Sequence, residues 1–377
     1  MSGTKAIAHP ASAAAARLHR WFMHHALPTW WSAGADPSGG YFDKLDEAGA
    51  PVDAPKRFRV QARQAHVYML AARLGWSGPT RKAARHALDG MLALRGDDGL
   101  YRSPAGAGGE ALDGMGLLYD QAFALLGLAA GRARFDEAAL EADALALAQR
   151  LERFEHPLGG YAEAEGLAAP LFANPNMHLF ESFQAWSRLS RDPLWTRLAA
   201  GQARLALERL IDPATGALGE KFAADWLKPA NPADRYVWPG HLYEWGFLLL
   251  DWPEADAASR AAALKLIEVA ERRGVDADGF VIFALDERLA PLDRGARLWA
   301  QTERIRACAR AAALTGDGAL WQAAAQACGA LEAFLQTPTP GLWRDWRDEA
   351  GAFRQEPAPA SSLYHIAGAI AEVARLA

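Results

Sequence analysis

The stretch PGHLYEWGFLLLDW, Pro239–Trp252, decides how the rest of the chain is read. It is long enough for about four turns of helix and apolar almost all round, with His241 and Glu244 close to its start. A helix without a polar face must be buried on most sides. Five further stretches have this character: VQARQAHVYMLAARLG (Val60–Gly75), LLYDQAFALLGLAAG (Leu117–Gly131), NPNMHLFESFQAWSRL (Asn174–Leu189), LWAQTERIRACARAAAL (Leu298–Leu314) and SSLYHIAGAIAEVARL (Ser361–Leu376). Between them lie helices of a second kind, such as EAALEADALALAQRLERF, PLWTRLAAGQARLALERLI and ADAASRAAALKLIEVAERRG. Their apolar residues recur at helical spacing beside an obvious charged face.

One polar marker from each buried stretch shows the period. Arg63, Gln121, His178, His241, Gln301 and His365 follow one another at intervals of 57–64 residues. That is the length of an α-hairpin and its loop, repeated. An open solenoid would carry polar capping repeats at its ends, yet the first and last buried stretches are as apolar as the others. The expected fold is all-α: a closed (α/α)6 barrel, an inner ring of six helices inside an outer six, with residues 1–377 as one catalytic domain. Loops rich in Gly, Pro and Trp precede the buried helices, among them GGYFDKLDEAGAPVDAPKRFR, GLYRSPAGAG, LGGYAEAEG, DWLKPANPADRYVWPG and LWRDWRDEAGAFRQEPAPAS. Several read as short strand pairs. Markers at equivalent places in successive repeats should converge at one end, in a pocket floored by inner helices and walled by these loops.

Composition narrows the function. The net charge is −5 with acids and bases interspersed, so no basic face for nucleic acid is expected. Two cysteines, Cys308 and Cys328, are too few for a disulfide framework or a cysteine zinc site. No apolar run reaches the roughly 18 residues of a membrane span, and the first residues lack a compact apolar signal core; a cytoplasmic location is the expectation. Alanine-rich stripes on the charged helices could form a homodimer contact, or simply the side packed on the inner ring.

Of the ten histidines, His178, His241 and His365 share the marker register. Three imidazoles could ligate zinc, but none has a short i, i+4 partner, and no metal or other cofactor is expected. Glu181 follows His178 by three residues and Glu244 follows His241 by three, one helical turn, so each acid could orient its imidazole. Imidazoles suit proton transfer near neutral pH. Trp226, Trp238, Trp299, Trp343 and Trp346 crowd the loop ends, and aromatic walls with scattered polar groups suit a sugar. Arg63 could stabilise an oxyanion beside a carbonyl.

The ordered series VQARQ, LYDQAF, NPNMHLFE, WPGHLYEW, RLWAQTE and PASSLYHI resembles the N-acylglucosamine 2-epimerase family, which includes mannose isomerases and cellobiose 2-epimerases, over about residues 40–370. The resemblance implies an (α/α)6 barrel and metal-independent proton transfer on a reducing sugar. It implies His241 and His365 as the acid/base pair, His178 near the ring oxygen or reacting hydroxyls, Arg63 on O1 or O2, and Glu244 orienting the pair. It places Asn174, Glu181, Tyr119, Asp120, Trp299, Gln301 and Glu303 along the pocket.

Both reactions of such enzymes start with ring opening and removal of the C2 proton to give a cis-enediolate. Isomerisation returns the proton to C1, and 2-epimerisation returns one to the other face of C2. Isomerisation of D-mannose to D-fructose is the expected reaction, with 2-epimerisation as the alternative. A phosphorylated sugar would need cations in the pocket, for which Lys56, Arg57, Arg59, Arg235 and Arg344 are available near loop ends. Two other classes stay open: a glycoside hydrolase using paired carboxylates, for which three histidines are surplus, and a sugar-binding protein without catalysis.

Overall fold

The computed structural model describes residues 10–103 and 115–376. In chain order its α-helices are α1 (Ser12–Trp21), α2 (Leu27–Ser32), α3 (Phe58–Arg73), α4 (Thr80–Leu92), α5 (Leu118–Phe135), α6 (Ala138–Leu151), α7 (Ala173–Ser187), α8 (Pro193–Leu205), α9 (Pro239–Asp251), α10 (Ala257–Arg273), α11 (Leu298–Thr315), α12 (Gly318–Phe334) and α13 (Ser362–Leu376). The buried stretches are the inner ring, α3, α5, α7, α9, α11 and α13, and α13 packs back on α3 to close it. Outside it run α4, α6, α8, α10 and α12, with α1 completing the outer layer against α12 and α13. This is the closed (α/α)6 barrel. Among the described residues no helix is long and apolar enough to cross a membrane.

Residue patterning explains the two layers. In α9 every residue from Pro239 to Leu250 is buried. In α4 burial is confined to Ala83, Ala84, Ala87, Leu88 and Met91, a single stripe at helical spacing. Three outer helices also differ from the inner ring at their starts. Outer helices α8, α10 and α12 are capped by Asp192, Asp256 and Asp317, whose carboxylates accept from backbone N–H groups of the first turn. Inner helices α3, α5, α7, α9 and α11 have no such cap. Their N-terminal ends, each the positive end of a helix dipole, face the same mouth of the barrel.

Each inner helix is preceded by a small hairpin, closed by the bridges Ala35–Tyr41, Arg95–Tyr101, Glu155–Tyr161, Ile211–Leu218, Val275–Val281 and Arg347–Phe353. In four repeats a side-chain amide at the fourth helical residue clamps the hairpin, accepting from a backbone N–H and donating to the carbonyl of the same residue. Gln61 holds Tyr41 (2.7 and 2.9 Å), Gln121 holds Tyr101 (2.9 and 2.7 Å), Asn176 holds Tyr161 (2.9 and 3.0 Å) and Gln301 holds Val281 (2.9 and 3.1 Å). Gly40 is required at the first clamp: its φ is +69°, and a Cβ there would stand 2.5 Å from Gln61 Oε1. In α9 and α13 the fourth residues are Leu242 and His365 instead.

The expected strand pairs are present but very short. Lys44–Leu45 pairs with Ala358–Pro359, Leu171–Phe172 with Lys221–Phe222, and Ala296–Arg297 with Trp346–Arg347, all antiparallel. Tyr236–Val237, Ala284–Asp286 and Pro291–Asp293 form a three-stranded sheet. These pairs tie the loops of neighbouring repeats together around the mouth. Part of the GLYRSPAGAG loop, and His9, lie outside the described residues.

Candidate active site

The mouth of the inner ring gathers three histidines, each tied through Nδ1 to its own carboxylate. His178 meets Glu181 Oε2 at 3.2 Å, His241 meets Glu220 Oε2 at 2.7 Å, and His365 meets Glu303 Oε1 at 2.8 Å. Each imidazole therefore has Nε2 left for another partner. Aromatic rings join the three. Trp299 lies 5.0 Å from the His241 ring and 5.9 Å from the His365 ring, Trp238 lies 5.0 Å from His241, and Phe123 lies 4.5 Å from His178.

The three do not share one helical position. His178 is the sixth residue of α7, His241 the third of α9 and His365 the fourth of α13. The register that does repeat at the lumen is the sixth residue: Arg63, Phe123, His178, Glu244 and Glu303.

Arg63 closes the cluster. Its guanidinium lies over Phe123 (4.2 Å) and Tyr364 (5.0 Å), and it donates to Tyr119 Oη at 2.9 Å and to the Ser361 carbonyl at 3.2 Å. Among the described residues its buried Nε has no partner, and neither have Asn174 Oδ1, Asp120 Oδ1 and both carboxyl oxygens of Glu244. Unpaired buried polar atoms are costly unless something binds them. These four residues stand in the first two turns of α3, α7, α5 and α9, at the end of the ring that carries the histidines.

The charges are sorted by depth. Burial holds His178 down to about 4 and lowers His365, against the pull of their carboxylates, so both rings are neutral at neutral pH. Burial pushes Glu303 up, but the Arg306 guanidinium, 2.8 Å away, and the bond from His365 outweigh it and hold its carboxylate low. Glu181 behaves in the same way: burial is outweighed by His178 and Arg306, and it falls to about 2. Its second oxygen accepts from the Tyr364 hydroxyl. Glu244 has no such support, and burial together with Glu303 and Glu181 drives it well above the carboxylate range, leaving a neutral acid.

Several expectations need correction. Glu244 does not orient His241; Glu220, in the loop before α9, does, because the hairpin extension there turns its carboxylate inward. Gln301 does not line the pocket, since its amide is spent on Val281 and the Arg297 carbonyl. Trp343 stacks on Trp30 at 5.0 Å in the core, and Trp226 donates to the Gly159 carbonyl. His66, outside the marker register, faces the interior, where burial holds it down to about 4. It lines a separate cavity of about 650 Å³ at the opposite end of the ring, with Arg73, Arg310 and Glu372. Glu181 and Arg306 stand between that cavity and the histidines.

Sequence reasoning also missed Glu220, Arg306 and Tyr364. RIRACAR, with three arginines in an otherwise apolar helix, was a usable signal for Arg306, because buried guanidinium groups need acids. Arg304 takes Glu271, Arg306 takes Glu303, and Arg310 takes Glu372 and Asp251. Glu244, Glu303 and His365 each offer a possible metal-ligand atom within 4.8 Å of the others. The second oxygen of Glu303 already carries Arg306, so a guanidinium supplies cationic charge there.

The family model of N-acylglucosamine 2-epimerase matches residues 40–369. The chain belongs to this family. Its members are carbohydrate isomerases and epimerases, and the chain is an enzyme of that kind. It is 39% identical over 373 residues to a protein named mannose-6-phosphate isomerase from Rhizobium meliloti (strain 1021), covering 95% of this chain and 96% of the other. It is 30% identical over 318 residues to D-mannose isomerase from Thermobifida fusca, covering 76% of each chain. A crystal structure of D-mannose isomerase superposes with a TM-score of 0.87 at 19% identity, over 98% of this chain and 100% of that one.

Proposed function

We propose that the enzyme interconverts a mannose-configured aldose and its fructose-configured ketose, with D-mannose and D-fructose as the parent pair, by proton transfer between C2 and C1 in one catalytic domain. The observation that carries this reading is the pair of imidazoles, His241 and His365, each anchored through Nδ1 on a separate buried carboxylate and both set against Trp299. The names of the relatives at 30–39% identity support the substrate class.

His365, neutral and backed by Glu303, takes the C2 proton on Nε2 and returns it to C1 on the same face. His241, backed by Glu220, passes the O1 proton to the ring oxygen as the cyclic form opens, and then carries the O2 proton to O1 as the enediolate becomes the ketose. The unpaired Arg63 Nε donates to the enediolate oxygen, and the neutral Glu244 donates a second hydrogen bond. Both donors are in place before charge develops, which is where such groups lower a barrier most. His178, Asn174 and Asp120 take hydroxyls, and Trp299 stacks on the sugar face.

Two carboxylate-backed imidazoles beside one indole would equally serve opposite faces of C2, and this observation keeps 2-epimerisation as the second reading. Product analysis after incubation with D-mannose separates them. The isomerase reading expects D-fructose; D-glucose as sole product would replace it with the epimerase, and neither product from D-mannose or its 6-phosphate would refute both.

A further inference from the structure

We infer that the mouth of this pocket is built for a phosphate monoester on the non-reacting end of the sugar, with Arg59 as the residue that holds it. The inference rests on the isomerase reading for which end of the sugar lies deep.

Of the five basic residues near the loop ends, four are already neutralised by carboxylates. Lys56 pairs with Asp36 (2.5 Å), Arg57 with Asp43 (2.5 Å), Arg235 with Glu287 (3.4 Å) and Arg344 with Glu47 (2.7 Å). Arg59 differs. It is half-buried, its guanidinium lies 5.5 Å from the centre of the Tyr119 ring, and no carboxylate among the described residues pairs with it. A planar fork of free N–H donors is the arrangement that suits bidentate phosphate recognition.

Its position fits the length of a hexose. Arg59 precedes Arg63 by four residues on α3, so it stands about 6 Å nearer the mouth at 1.5 Å per residue. Four carbon–carbon bonds of about 1.5 Å at tetrahedral angles carry C6 about 5 Å from C2, so a sugar with C2 beside Arg63 brings a group on O6 to the level of Arg59. The two arginines share one tyrosine: Tyr119 lies under Arg59, and its hydroxyl accepts from Arg63.

Two further features favour an anion there. Arg59 is the second residue of α3, so it stands at the positive end of that helix dipole, where the Phe58 N–H is taken by Ser103 Oγ. The acid that faces it, Asp120, acts on it through space without an ion-pair contact, and burial pushes that carboxyl up; burial also pushes Glu163, beside Asp120, up to about 8.

The test compares kcat/KM for D-mannose 6-phosphate and D-mannose in the full-length wild type, Arg59→Gln and Arg59→Lys. The wild type is expected to prefer the phosphate ester by at least about tenfold, and Arg59→Gln to lower that ratio on the order of 30-fold, with partial recovery in Arg59→Lys. A wild type that converts D-mannose but gains nothing from the phosphate overturns the inference and leaves the isomerase reading standing. So does an Arg59→Gln variant that loses both sugars in equal proportion. If the wild type turns over neither sugar, calorimetry with the unreactive pair D-glucitol 6-phosphate and D-glucitol decides: tighter, Arg59-dependent binding of the phosphate upholds the inference, and equal binding ends it.

Discussion

Two kinds of inner helix stand side by side in this barrel. In α3, α5, α7 and α11 the fourth residue is an amide that clamps the preceding hairpin through both backbone groups of one residue. In α9 and α13 the clamp is missing, and an imidazole stands at the third or fourth residue. The clamped helices fix the walls of the mouth. The unclamped helices have that first turn free for chemistry, and their hairpins are held otherwise: Glu220 bonds to His241, and Ser362 donates to Asp345 at 2.7 Å. The same polar first turn thus holds a hairpin in four repeats and, in the reaction we propose, moves a proton in two.

The comparison is broken most severely by removing an unclamped imidazole. His365→Gln should lower kcat by about 10⁴-fold with the melting temperature little changed; a fall of less than tenfold in steady-state assays would put the chemistry elsewhere. Glu303→Gln should cost about 10²-fold in kcat and also roughly 3–5 kcal/mol of stability, because Arg306 would be left buried beside a neutral amide. Chemical denaturation alongside the kinetics would register both. Gln301→Ala should do the reverse of His365→Gln. Loss of a clamp strands the Val281 backbone and costs about 1–3 kcal/mol, while kcat/KM stays within about fivefold; a larger catalytic loss would mean that Gln301 meets substrate after all.

The smallest expected effect is on pH. Folding depresses the pKa of His66 and His178 from 6.5 to about 4. The unfolded chain therefore binds protons that the folded chain does not, so their contribution is complete above pH 6.5 and is lost as pH falls toward about 4. Glu181, held at about 2, adds stability that disappears only below its ordinary value of 4.5. Melting curves between pH 7.5 and 4 should decline through the first window. A flat profile there would show that the two rings are not held neutral.

The architecture was legible because it is periodic. Six buried helices about sixty residues apart leave few ways to hide their faces other than a closed double ring. Trp299, Arg63 and the three histidines were legible because they interrupt that apolar pattern near the helix starts. The division of labour among the polar residues was not. Gln301 and His365 each occupy the fourth position of an inner helix, and only the backbone path of the preceding hairpin decides which one clamps and which one is free. Glu220 was invisible for a related reason. It lies outside the helical pattern, in a short extension that brings it against His241 only once the loop has folded. The spacing of three between His241 and Glu244 suggested a pair, but the helix turns Glu244 toward Glu303 and Glu181 instead.

The central claim is that imidazoles in the unclamped helices move the sugar's C2 proton. Proton NMR of the enzyme with D-mannose and its 6-phosphate in deuterated water tests it most directly. The account predicts ketose carrying deuterium at C1, formed by the wild type and by Gln301→Ala but abolished in His365→Gln. Ketose labelled at C1 at an undiminished rate in His365→Gln would contradict it.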